Sequence, residues 1–195
     1  MMDADDDLLA ALRVGDEAAF TCLVGRYHTR LLRFAESLVP TRSIAEEVVQ
    51  DTWLGVVRGI DRFEGRSSVK TWLFHILINR AKSAGAREPR NERLGDGDTL
   101  DGRFDASGAW SQPPEPWADA VDARLEARQV ALRIKQCLPQ LPPVQRQILV
   151  LRDIEGIDSA EVCDLLGLSA VNQRVMLHRA RSHVRTILER EMGRS

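Results

Sequence analysis

The chain has 195 residues, of which 44% are hydrophobic and 29% charged, and its formal net charge is -2, a composition that fits one long folded domain or two modest ones. No window approaches the roughly 18 to 20 consecutive apolar residues of a membrane span, so membrane insertion is not expected. The acidic start MMDADDDLLAALRVGDEAAF has neither the basic nor the apolar segment of a secretory signal, and a cytoplasmic location is expected.

Cys22, Cys137 and Cys163 are widely spaced and form no Cys-x-x-Cys pair. Neither a disulfide framework nor a zinc site follows, and the three read as reduced, small, buried side chains. The charge is unevenly spread. Residues 1–90 balance 13 Lys+Arg against 13 Asp+Glu, residues 91–122 hold 2 against 8, and residues 123–195 hold 12 against 8. Two neutral-to-basic blocks therefore flank an acidic connector, and each block is judged for polyanion binding by itself.

In chain order, a first helix is expected from about Asp5 to Phe20, running into a second from about Gly15 to Val39. The break falls near Gly15-Asp16, and Pro40 closes the second. A third helix starts at Thr41 or Ser43, where Ser43-Ile44-Ala45-Glu46 reads as a capping box. Val49, Trp53, Val56, Val57 and Ile60 form its inward stripe, and Glu47, Gln50, Asp51, Leu54 and Arg58 its outer face. That face reads either as a solvated acidic surface or as a docking site for a basic helix, with Leu54 in its middle favouring docking.

A loop at Gly65, Ser67 and Ser68 leads to a fourth helix from about Val69 to Ala84, with Ser68 as its cap. Val69, Trp72, Leu73, Ile76, Leu77 and Arg80 are expected mostly inward, and Lys70, Thr71, Phe74, His75, Ile78, Asn79 and Lys82 on the other side. Trp72 fits core or a binding surface equally well. An aromatic ring at Phe74 among cations suits unpaired nucleic acid, because cations meet phosphate while unstacked bases regain about 1–3 kcal/mol each on the ring.

Between Asn91 and Trp117, NERLGDGDTLDGRFDASGAWSQPPEPW collects Gly, Asp, Ser and Pro with no apolar period, and reads as a linker. Beyond it, Asp158-Ser159-Ala160-Glu161 reads as a capping box opening a short helix that buries Val162, Cys163, Leu165 and Leu166. Gly167-Leu168-Ser169 makes a three-residue turn, with Gly167 as a left-handed cap and Ser169 as the next N-cap. A longer helix follows, completing a helix-turn-helix plan. Leu177, Ala180, Val184, Ile187 and Leu188 form its buried stripe, while Arg174, His178, Arg181 and Arg185, with Arg179 beside them, form a cationic edge able to enter a major groove. With strand signals scarce, the fold expected is all-α: two small helical domains, 1–90 and 121–195, joined by a flexible acidic linker at 91–120.

Together the two blocks resemble the extracytoplasmic-function (ECF) sigma factors of bacterial RNA polymerase, the two-domain members of the sigma-70 family. AEEVVQDTWLGVVRGIDRFEGRSSVKTWLFHILINRAKS is similar to that family's domain 2, and LPQLPPVQRQILVLRDIEG with the helix-turn-helix and LHRAR is similar to domain 4. The resemblance implies an alternative sigma factor with core RNA polymerase (its β and β′ subunits) and promoter DNA as partners, an anti-sigma factor as inhibitor, and no cofactor. Glu47, Gln50, Asp51 and Leu54 would bind the basic coiled coil of the β′ clamp. Arg62, Arg66, Ser67, Lys70, Thr71, Trp72, Phe74, His75, Asn79 and Lys82 would open the -10 element and hold a flipped base, whose unpairing costs a few kcal/mol. Ser169, Asn172, Arg174, Val175, His178, Arg179 and Arg181 would contact the -35 duplex.

The recognition helix departs from the family's usual Gly-Thr-Val-Lys-Ser-Arg. It reads Val171-Asn172-Gln173-Arg174-Val175-Met176, with Val175 in place of a small polar residue and Gln173 where an apolar one packs. His75 and Leu77 also differ from the usual Arg and Ala. The rival reading is a helix-turn-helix regulator that binds DNA without polymerase, which leaves the Glu47 face unused. An enzyme is not expected: His28, His75, His178 and His183 show no metal-ligand spacing, and no nucleophile elbow or phosphate loop occurs.

Overall fold

The computed structural model describes residues 4–85 and 136–192, and all regular structure among them is helical. The chain divides into two compact units, Met1–Glu88 and Pro89–Ser195. The linker expected at 91–120 lies outside the described residues.

The first unit holds α1 (Ala4–Arg13), α2 (Glu17–Leu38), α3 (Arg42–Gly59), a 3-10 turn (Ile60–Arg62) and α4 (Val69–Ser83). The first break falls where expected, but α1 ends at Arg13, well short of Phe20. Gly15 takes a left-handed φ of 82° that a side chain would disfavour. Asp16 then caps α2, its carboxylate accepting from the Ala18 and Ala19 amides at 2.8 and 3.3 Å. The Arg13 guanidinium donates to the Phe63 carbonyl and so ties α1 to the turn after α3.

At α3 the cap is Thr41, whose hydroxyl accepts from the Ile44 amide at 3.3 Å. The box expected from Ser43 does not form, because Ser43 already lies inside the helix and Glu46 pairs instead with Arg42 at 2.9 Å. Leu23, Leu31, Phe34, Val49, Val56, Leu73, Phe74 and Leu77 are almost wholly excluded from solvent and make one core among α2, α3 and α4. Phe20 meets Trp53 edge-on at 5.9 Å, and the Trp53 indole donates to His28 Nδ1 at 3.3 Å. Val57, expected inward, is instead 57% exposed.

The second unit holds a 3-10 turn (Leu138–Gln140), α5 (Pro143–Leu149) running into a π turn (Val150–Ile154), α6 (Ser159–Leu166) and α7 (Ala170–Met192). Cys137, Ile148, Leu151, Val162 and Ala180 lie at its centre, where α5 and α6 both pack on α7. Gly167 ends α6 at φ 66° and ψ 38°, the left-handed cap expected. Ser169 opens α7 by accepting from the Asn172 amide at 3.2 Å. Asp158 stands at the N-cap of α6, but its side chain makes no capping bond, so the second expected box is also absent. Ser159 instead donates to Gln173 Oε1 at 2.9 Å, linking α6 to α7. No disulfide joins the three cysteines; Cys137 is buried as expected, Cys163 is half-buried, and Cys22 is exposed, outside the core.

Candidate nucleic-acid interface

Three surfaces carry the side chains singled out in the sequence. On α3, Glu47, Gln50, Asp51 and Arg58 are all exposed, and Leu54 is 52% exposed among them. Their spacing puts all five on one face of the helix. Exposed Val57, three residues after Leu54, enlarges the apolar spot. The adjoining flank of α3 explains why α4 can lie so close. A Cβ added at Gly55 would stand 3.0 Å from Ile76 Cγ2 and 3.5 Å from Arg80 Nη2, and one at Gly59 would stand 3.4 Å from the Trp72 ring.

That approach sets the orientation of α4. Its buried positions are Val69, Thr71, Leu73, Phe74, Leu77, Ile78 and Ala81. Phe74, expected to offer a ring on the nucleic-acid face, has no exposed surface and meets Phe34 edge-on at 5.2 Å. Ile78 and Thr71, expected on the same face, are likewise buried, and the Thr71 hydroxyl lies 2.9 Å from that of the capping Ser68. Arg80, expected inward, is exposed. The physical reason is that the helix has neighbours on two sides: Phe74 and Ile78 fill the core while Trp72, Ile76 and Arg80 border the two glycines of α3.

His75, Asn79 and Lys82 remain as an exposed edge, with Asn79 Nδ2 3.4 Å from His75 Nδ1. Lys70 is half-buried. In the preceding loop, Arg62 and Arg66 are exposed, Arg66 pairing with Glu64 at 3.1 Å, and Ser67 is half-buried. Trp72 is half-buried and packs on Phe63 with ring centroids 4.7 Å apart. It is the aromatic of α4 that retains solvent-facing surface.

On α7 the long helix presents Arg174 and Arg185 exposed, and Asn172, Val175, His178 and Arg179 half-buried. Ser169 is exposed at the helix start. Arg181 differs from the expected groove contact. Its guanidinium turns back onto the π turn and grips Asp153 through two bonds, Nε to Oδ2 at 2.9 Å and Nη2 to Oδ1 at 2.7 Å. The hydrogen bonds that Arg181 donates to the Asp153 carboxylate hold its pKa above the ordinary value against the opposing effect of burial.

Gln173 is buried with only 2% of its surface accessible, as expected of a position where the family's pattern packs an apolar residue; its partner Ser159 and the exposure of Val171 escaped the sequence reading. Val171 is 60% exposed on the first turn of α7. An apolar residue at a position outside the buried stripe was the available signal for the second; nothing in the local pattern announces Ser159 as the partner of Gln173.

Among the described residues no group of three His, Cys, Asp or Glu side chains gathers as a metal site, and no helix is long and apolar enough to cross a membrane.

Comparison with known proteins supplies the frame for these surfaces. The model of Sigma-70 region 2 matches residues 23–90, and that of Sigma-70 region 4 matches residues 131–184. The ECF RNA polymerase sigma-E factors of Escherichia coli K12 and Salmonella typhimurium LT2 are each 27% identical to the chain over 181 residues, covering 92% of it and 92% of each relative. Among solved structures, CnrH in complex with the cytosolic domain of CnrY superposes with a TM-score of 0.57 at 26% identity, over 96% of this chain and 98% of that one. The sigma factor RpoE of Bartonella quintana, solved with the anti-sigma factor NepR, shares the fold at a TM-score of 0.55 and 24% identity, over 87% of this chain and 96% of that one. Two regions of one family in their proper order occupy more than half of the chain, each on its own helical unit, and the protein belongs to the sigma-70 family as an alternative sigma factor of the ECF type.

Proposed function

We propose that this sigma factor docks on core RNA polymerase through α3 and reads a two-part promoter through α4 and α7. The exposed acidic face of α3 is the observation that carries the reading. Glu47, Gln50 and Asp51 surround Leu54 at the surface, which suits a basic helix with an apolar residue at its centre. Val57 belongs to the same contact. A regulator acting on DNA alone leaves this face without a role.

The edge carrying His75, Asn79 and Lys82, with Lys70 and the loop residues Arg62, Arg66 and Ser67, is the proposed contact with the opened -10 strand. Trp72 supplies the stacking surface that Phe74 cannot, and Thr71 supports the loop end through Ser68 rather than by direct contact. Ser169, Asn172, Arg174, Val175, His178 and Arg179 form the -35 surface. In this scheme Arg181 holds α7 against the π turn through Asp153 and contributes to binding indirectly. Polymerase performs the chemistry, and the sigma chain supplies only binding and strand opening, in the cytoplasm. Because the similarly folded RpoE was solved with the anti-sigma factor NepR, an anti-sigma factor is the proposed restraint on the free factor.

The test is co-elution of the purified chain with bacterial core polymerase, in parallel with an Asp51→Arg variant. Asp51 is exposed, so the reversal leaves the fold intact and weakens co-elution at least tenfold, the effect of placing like charges across an interface. Binding of promoter DNA by the chain alone, with no polymerase association, would instead establish the stand-alone regulator.

A further inference from the structure

The exposed surface of α7 is mainly cationic and polar, yet its first two turns carry an apolar edge. Val171 is 60% exposed. Val175 follows four residues later, on the same edge of the helix, and is half-buried. Arg174 is exposed on the flank of this edge beside Val171, and Arg179 and Arg185 extend the positive charge further along the helix. The core of the unit makes no use of Val171: the side chains of α7 that pack inward begin with Gln173, Met176 and Leu177.

A lone exposed valine is ordinary on any surface. The place of this pair is what distinguishes it. Both residues lie in the N-terminal part of the longer helix of a helix-turn-helix, the part that meets base edges when such a helix enters a major groove. The surrounding arginines favour a polyanion over an apolar protein partner. Among the groups that base pairs present in the major groove, the thymine 5-methyl is the apolar one.

We infer that Val171 and Val175 are specificity-determining residues that read thymine 5-methyl groups in the upstream promoter element. The inference rests on the proposed role of α7 in binding that duplex. Side chains four residues apart on a helix stand about 5–6 Å from one another, and base pairs rise about 3.4 Å per step. The two methyl groups therefore belong to neighbouring or next-but-one base pairs. Arg174, on the flank of that edge beside Val171, is placed to bond a guanine edge or a phosphate next to them. Small polar residues at 171 and 175 would leave those methyls without an apolar partner and relax the preference for thymine.

The test uses the full chain with core polymerase. A duplex library randomised over the upstream element is selected for retention, and the enriched duplex is remade with deoxyuridine for thymidine in that element alone. The change removes the 5-methyl group and keeps the base pairing. Retention by the parent is expected to weaken about fourfold for each contacted methyl, the value of burying one such group. Val171→Ser and Val175→Ser are each expected to bind the thymine duplex about fourfold more weakly and to lose the response to the methyl they no longer contact. Val171→Ser, at a largely exposed position, keeps the inference falsifiable even if Val175→Ser lowers stability. Equal binding of thymine and uracil duplexes by the parent would overturn the inference alone, as would a full response to uracil in Val171→Ser. Failure of polymerase to retain any duplex would overturn the sigma reading, and the inference with it.

Discussion

Phe74 and Arg181 show how a side chain's chemistry can be read correctly while its direction is not. Phe74 lies one position from Leu73, and a shift of the inward stripe by less than one residue's turn moves its ring from surface to core. Truncating it to alanine is expected to destabilise the first unit by about 3–5 kcal/mol, as for other fully buried aromatics. Thermal or denaturant unfolding would measure this, and a loss below about 1 kcal/mol would contradict the packing against Phe34. Arg181 was legible as a cation on the outer side of α7, but its partner Asp153 lies 28 residues earlier in the chain, beyond any local pattern. Arg174→Gln is accordingly expected to weaken promoter binding and to lower the salt slope by about one unit. Arg181→Gln should leave that slope nearly unchanged and cost about 1 kcal/mol of stability or less, because solvent still reaches the pair and screens it. Equal effects of the two substitutions on the slope would return Arg181 to the DNA contact.

At the level of elements, helices were plainer in the sequence than their caps or their facing. Turns signalled by Gly15-Asp16 and Gly167-Leu168-Ser169 stand where expected, since left-handed glycine and a short acceptor side chain act within a few residues. The two capping boxes failed separately: Thr41 precedes Ser43 and takes the helix start first, and Asp158 stands at the N-cap of α6 without turning its side chain onto the first-turn amides. Thr41→Ala should therefore cost about 1 kcal/mol and Ser43→Ala almost nothing. The reverse order in unfolding experiments would restore the box. The facing of α4 was beyond reach, because its apolar residues occupy more than one side and the deciding contacts come from Phe34 on α2 and from Gly55 and Gly59 on α3. For α3 the polar face was legible, though Val57 was not; a valine beside an inward stripe is placed by its neighbouring helices rather than by its spacing.

Each described unit has its own core, and each carries surface suited to the work of a sigma factor. The acidic exposed face of α3 belongs to the first unit, whose charge is balanced overall, and the cationic helix-turn-helix to the second, whose excess of Lys and Arg was already visible in the sequence. Neither surface suffices by itself: docking without DNA reading gives no promoter choice, and DNA reading without docking gives only an operator-binding protein. The direct measurement of their joint action is transcription initiation in a reconstituted reaction containing core polymerase, this chain and a library of supercoiled templates. The account predicts transcripts that depend on the chain and begin at a fixed distance downstream of a shared two-part motif. Initiation that is the same with and without the chain, across templates to which it binds, would contradict it.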